Sequence, residues 1–172
     1  NNVEELRKNN ITYINPFLSL NNKEKLKTRL YDELSIHFNL SKNDINKAVD
    51  KAILEQESFK KDIQTQGELA LKEINDKNLK AIVLCGRPYH LDPEINHGIH
   101  KLIASLGFAV ITEDSVSELV DTPPLDVLNQ WTFHSRLYRA AEYVCQNDDM
   151  QLVQLVSFGC GIDAVTTDEI RA

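Results

Sequence analysis

Apolar positions recur at helical spacing as far as residue 79 and then contract into short, nearly continuous runs. Residues 11–20 read as an extended lead-in, because Asn15-Pro16 disfavours a helix there. Leu26, Leu30, Leu34 and Phe38 form a narrow stripe that predicts a helix capped by Asn21. Ser41-Lys42-Asn43-Asp44 is a second helix start of the capping-box kind. After it, Ile45, Ala48, Val49, Ala52, Ile53, Phe59, Ile63 and Ala70 carry one stripe toward Asp76. Unbroken, that helix is about 50 Å long at the α-helical rise per residue. Gly67 leaves room for a break or bend.

From Lys80 the period changes. Runs at 81–84, 108–112 and 152–157 are short and apolar enough for strands buried on both faces of a parallel sheet. Asp92-Pro93-Glu94 predicts a helix start, with Ile95, Ile99, Leu102, Ile103 and Leu106 on one face and Gly107 closing it. A long loop over 113–125 carries Thr122-Pro123-Pro124, and a further helix is expected over 128–145 with Trp131, Leu137, Ala141 and Val144 turned inward. Strand, helix, strand in this order gives right-handed crossovers. The expected fold is α/β, a Rossmann-like three-layer domain with a short, mainly parallel sheet over residues 80–172. An extended lead-in and a helical arm with one long helix fill residues 1–79. A 2-1-3 strand order is favoured. Thr166-Thr167-Asp168-Glu169 reads as a capping box only about one turn from the last residue, too short for a stable helix, so the chain is expected to be a truncated piece of a longer polypeptide.

Charge and cysteine usage narrow the class. A net charge of −7 argues against a surface built to neutralise nucleic-acid phosphates. No apolar run approaches the ~20 residues of a membrane span, and Asn1-Asn2-Val3-Glu4-Glu5 is no signal peptide. Three cysteines, an odd number without dense spacing, point to free thiols, ligands or catalytic groups in a reducing cytoplasm.

The candidate chemistry sits where strands end. The third apolar run meets Gly159-Cys160-Gly161, placing a thiol and two glycines at the carboxyl edge of the sheet, beside a helix start. Cys85 ends the first run, and in a 2-1-3 order it is expected to emerge beside Cys160, whereas Cys145 belongs at the opposite edge. Three readings of the Cys85–Cys160 pair compete: iron–sulfur ligation, a redox pair, and packing as small hydrophobes. Gly159 to Ala164 also spells a G-x-G-x-x-A fingerprint, but it follows the last strand, without a later strand to supply a ribose-binding acid. Arg87 and His90, in the loop after the first strand, are candidates for anion recognition, with Glu113 or Asp114 as alternative partners for Arg87. His97 and His100 are spaced to share a helix face, a pattern more often solvent-facing than chelating. Trp131, Phe133 and Tyr138 read as core or interface residues.

The run from Gly86 to Ile99 (GRPYHLDPEINHGI), with Leu128 to Tyr138 and Val153 to Asp163, resembles the activator-related proteins of the 2-hydroxyacyl-CoA dehydratase system, the CoA-substrate-specific enzyme activases. The resemblance implies a fragment of their dehydratase-subunit-like region, since the ATPase signatures of their front part are absent. It implies a role in ATP-driven electron transfer to 2-hydroxyacyl-CoA dehydration, with an ATPase activator domain or dehydratase subunits as partners and an acyl-CoA as a possible ligand. It further implies a [4Fe-4S] cluster, with Cys160 matching a ligand of the related subunits. Other ligands of those subunits fall at or near Arg87 and near Val116, so Cys85 would have to substitute, or the cluster is lost and a docking role remains.

Overall fold

The computed structural model describes Lys8, residues 11–157 and residues 159–171; residues 1–5 and Phe158, both part of the sequence reading, lie outside them. Two compact units divide the chain, Asn1–Phe59 and Lys60–Ala172.

In the first unit, helix α1 (Lys23–Leu34) follows an extended lead-in. Its cap is Asn22, one residue later than expected, whose side chain accepts the Lys25 N–H at 3.0 Å. The expected stripe ends at Leu34, and Phe38 lies past the helix and is exposed. Leu26, Ile45 and Val49 form a small core, with Leu30, Tyr31 and Ile53 packed against it. Ile45 and Val49 come from helix α2 (Lys42–Asp76), which opens on the expected capping box: Asp44 N–H donates to Ser41 Oγ at 3.2 Å, and Ser41 N–H to Asp44 Oδ2 at 3.0 Å.

No break occurs at Gly67, where the sequence left room for one. α2 runs through it, and the glycine serves a different purpose. A Cβ there would lie 2.8 Å from Ser115 Cα and 2.9 Å from Ser115 O, so the absent side chain admits a neighbouring backbone. Gly in mid-helix costs about 1 kcal/mol relative to Ala; here it permits close packing.

The second unit is α/β. Strands β1 (Ala81–Cys85), β2 (Ala109–Thr112) and β3 (Met150–Gln154) form an open, all-parallel sheet in the order β2-β1-β3, the favoured topology. Helix α3 (Ile99–Ser105) precedes β2, and a single turn, α4 (Glu113–Val116), follows it. Helix α5 (Thr132–Cys145) leads into β3, and α6 (Gly161–Arg171) comes last. Strand side chains alternate between faces. Ala81, Val83 and Cys85 therefore share one face, where they meet Leu71 and Ile74 of α2, Ile111, Val116, Leu137, Ala140 and Met150 in the main core. The last turns of the expected arm thus belong to the sheet's own core.

Several expected boundaries shift for local reasons. The helix expected from Asp92 begins only at Ile99, because side chains hold the intervening backbone in turns. Asp92 Oδ1 accepts the Glu94 N–H at 2.9 Å, and Asn96 Oδ1 accepts the Gly98 N–H at 2.9 Å. His97 (φ 51°) and Gly98 (φ 75°) are left-handed, which takes His97 off the helix and dissolves the His97–His100 pair. Leu102 and Leu106, expected on an inward face, are exposed, as is Trp131 ahead of α5. β3 starts and ends earlier than the apolar run suggested. The capping box expected at Thr166 is mid-helix: α6 begins at Gly161, and Thr166 Oγ1 donates back to the Ile162 carbonyl at 2.9 Å. Among the described residues no helix is long and apolar enough to cross a membrane.

Candidate functional site at the carboxyl edge of the sheet

β1 and β3 are neighbours, so the loops leaving their carboxyl ends meet. Pairing continues one step past the strands, with the Leu155 N–H donating to the Cys85 carbonyl at 2.8 Å. Beyond it the β1 loop delivers Arg87 and the β3 loop delivers Ser157, Gly159, Cys160 and Gly161. Gly159 is left-handed (φ 75°), which favours glycine, and a Cβ at Gly159 or Gly161 would meet nothing within 4 Å. The rim is open there.

Arg87 organises the cleft. Its Nη2 donates to Cys160 Sγ at 2.9 Å and to Asp163 Oδ1 at 2.8 Å, and its Nε reaches the same carboxylate oxygen at 3.2 Å. The expected alternatives are overturned. Glu113 and Asp114 are engaged by Arg136, at 3.4 Å for Glu113 and in closer contact for Asp114. The second oxygen of Asp163 accepts the Ser157 N–H at 2.8 Å. Burial on its own would raise the Asp163 pKa, but the bonds from Arg87 and Ser157 hold it below the ordinary carboxylate value.

His90 lies in a short 3-10 turn, Pro88–Leu91, and its Nδ1 accepts the Arg87 N–H at 2.9 Å. Desolvation holds its pKa below the ordinary histidine value, with Arg87 acting in the same sense and Asp163 against it. Tyr89 packs against the His90 ring and shares a hydrogen bond between its hydroxyl and Ser157 Oγ. His134, in the first turn of α5, is 7 % exposed, and its Nδ1 has no partner among the described residues. Burial lowers its pKa and Arg87 lowers it further, while Asp163 opposes, so this ring stands in the field of the same ion pair.

The two candidate sulfurs have different surroundings. Cys160 is half-buried at the rim. Cys85 is 1 % exposed, because the strand alternation that buries Val83 also turns Cys85 into the core. Burial, then the nearby Glu113, push its thiol well above the ordinary cysteine value. Cys145 ends α5, just ahead of the amino end of β3, and is exposed. A [4Fe-4S] cluster takes about four thiolates, and among the described residues no group of three or more His, Cys, Asp or Glu side chains is placed to hold a metal ion. Among the described residues the three cysteines are thus not gathered into one ligand set.

Sequence reasoning placed Arg87, His90, Cys160 and the two glycines at this edge but passed over Asp163, His134, Ser157 and Tyr89. The available signal was Asp163, an acid in the first turn of the helix opening beside Cys160. Two surface clefts lie elsewhere: one of about 600 Å³ beside Phe17 and Arg29, another of about 560 Å³ beside Glu118 and Arg139. Neither is lined by a thiol or an imidazole.

No curated protein and no solved structure matches the chain. The family model described as CoA enzyme activase uncharacterised domain (DUF2229) matches residues 1–116, two thirds of the sequence. The chain belongs to that family, and so to the CoA-substrate-specific enzyme activase-related proteins.

Proposed function

We propose that the chain is the dehydratase-subunit-like, Rossmann-like part of an activase-related protein. In this role its edge cleft binds an acyl-CoA during ATP-driven electron transfer to 2-hydroxyacyl-CoA dehydration. The observation that supports this most is at Arg87. Its Nε and Nη2 are committed to Asp163 and Cys160, and among the described residues no acceptor bonds Nη1. Nη1 thus keeps two N–H donors without an acceptor among the described residues, on a side chain 29 % exposed, suited to the carbonyl or phosphate oxygens of an anionic thioester. The family match reaches Arg87 and His90, whereas Cys160 and Asp163 lie beyond it. An ATPase activator domain and dehydratase subunits are the partners this role requires. Three free cysteines agree with a reducing cytoplasm.

Thermal unfolding in excess acyl-CoA tests this reading. A ligand at a hundred times its Kd stabilises by about 2.7 kcal/mol, so the wild type is expected to gain several degrees in Tm. Arg87→Lys, which keeps the charge but not the fork, is expected to lose that gain. A Tm unmoved by a panel of 2-hydroxyacyl- and enoyl-CoA thioesters overturns it.

The rim position of Cys160 favours one second reading, a cluster completed by cysteines of a partner. Visible absorption that appears on anaerobic incubation with iron, sulfide and a dehydratase subunit, and is lost in Cys160→Ala, would establish that reading instead.

A further inference from the structure

Arg87 is held at both ends of its own backbone by one residue. Its N–H donates to His90 Nδ1 at 2.9 Å, and its carbonyl accepts the His90 N–H at 2.8 Å. The ring has its place because residue 86 is glycine: a Cβ there would lie 2.5 Å from His90 Nδ1 and 3.1 Å from Cγ. Tyr89 packs edge-on against the imidazole, with ring centroids 4.5 Å apart, and is itself tied to Ser157 of the β3 loop. His90 is 8 % exposed.

We infer that His90 is a positioning residue of the edge cleft: its Nδ1 lone pair holds the Arg87 amide over Gly86 and so aims the Arg87 guanidinium at Cys160 and Asp163. A nitrogen that accepts a backbone N–H carries no proton, so the neutral ring is protonated at Nε2. A second proton goes to Nδ1 and sets two donors against each other. The bond then becomes a repulsion, and the imidazolium stands beside the Arg87 cation. The charged groups facing the ring are Arg87 from its own loop and Asp163 from α6. Asp163 favours protonation, while burial and Arg87 oppose it and prevail, so the latch is closed at neutral pH and opens in acid. This deepens the reading of the cleft as a binding site, since it names what keeps the guanidinium in place. Its test contains no ligand, so the latch and the acyl-CoA reading can fail separately.

The test is NMR of the ¹⁵N-labelled chain, following hydrogen exchange at the Arg87 backbone amide and the Arg87 Nε–H. His90→Asn puts a carboxamide oxygen where Nδ1 stands, whereas His90→Gln places its amide where Nε2 stands. His90→Asn is expected to keep Arg87 protected and to remove its pH dependence. His90→Gln is expected to speed exchange at the Arg87 amide by roughly tenfold, the loss of one hydrogen bond. In the wild type, Arg87 protection should fall in step with protonation of the His90 ring, with a midpoint below 6.5. Equal exchange in the Asn and Gln variants overturns the proposal, because the ring would then be only a wedge. A wild-type Arg87 that stays protected while His90 takes up its proton overturns it as well, and this arm needs no variant to fold.

Discussion

Glu113→Gln is expected to abolish a fall in stability of about 3 kcal/mol that the wild type shows between pH 4.5 and pH 8. Glu113 opens α4 directly after β2 and is 1 % exposed. Arg136 reaches it only at 3.4 Å while also engaging Asp114, and Glu113 Oε2 has no partner among the described residues. Burial, and then the charge of Asp114, push its pKa from 4.5 to about 7. Between these values the folded chain holds a proton that the unfolded chain has released. Unfolding therefore sheds protons, and stability declines as pH rises. Below 4.5 both states are protonated and the effect is gone. Gln cannot ionise, so the slope should vanish, even though its buried amide donor costs part of the gain in absolute stability. Urea unfolding at four or five pH values checks it. A wild-type profile flat between pH 4.5 and pH 8 would show that Glu113 is charged and solvated.

Asp163→Ala is expected to cost about 3 kcal/mol at pH 7, because it breaks a largely buried ion pair rather than replacing both partners. The substitution strands the Arg87 guanidinium beside Cys160 and leaves the Ser157 N–H without its acceptor. It also removes the acid from the first turn of α6. Its pH signature has the opposite sign to that of Glu113. The Asp163 pKa lies below its unfolded value, so its contribution is complete above the ordinary carboxylate range and is lost as pH falls through the depressed value. Stability in the wild type should therefore rise as pH drops from 8 toward 4.5 and then collapse in stronger acid. A loss below about 0.5 kcal/mol in Asp163→Ala would place the pair among exposed bridges of little worth.

The sheet was legible because three apolar runs separated by helical spacing leave few topologies; the central place of the first strand was favoured but not fixed, since right-handed connections also allow the order 1-2-3. The capping box at Ser41 was legible for a local reason, since a box needs only four residues in sequence. What escaped depended on distant partners. Gly67 left room for a break because propensity is a local quantity, while the Ser115 backbone that requires it lies 48 positions away. Arg87 was recognised as a binding residue, but its partner came from α6 and not from the acids after β2, because Arg136 had already claimed those. Cys85 and Cys160 looked equivalent as strand-ending thiols. A two-residue period decides between them: Cys85 falls in register with Ala81 and Val83 on the core face, whereas Cys160 lies past its strand, in a turn that the period does not govern.

The edge cleft therefore presents one sulfur, and the β1 strand reaches it through Arg87. Timed alkylation of the native chain with iodoacetamide, mapped by peptide mass spectrometry at each of the three thiols, tests this most directly. Cys145 and Cys160 should carry label while Cys85 stays unmodified until denaturant is added. Labelling of native Cys85 at the rate of Cys160 would put both sulfurs in the cleft and contradict the separation.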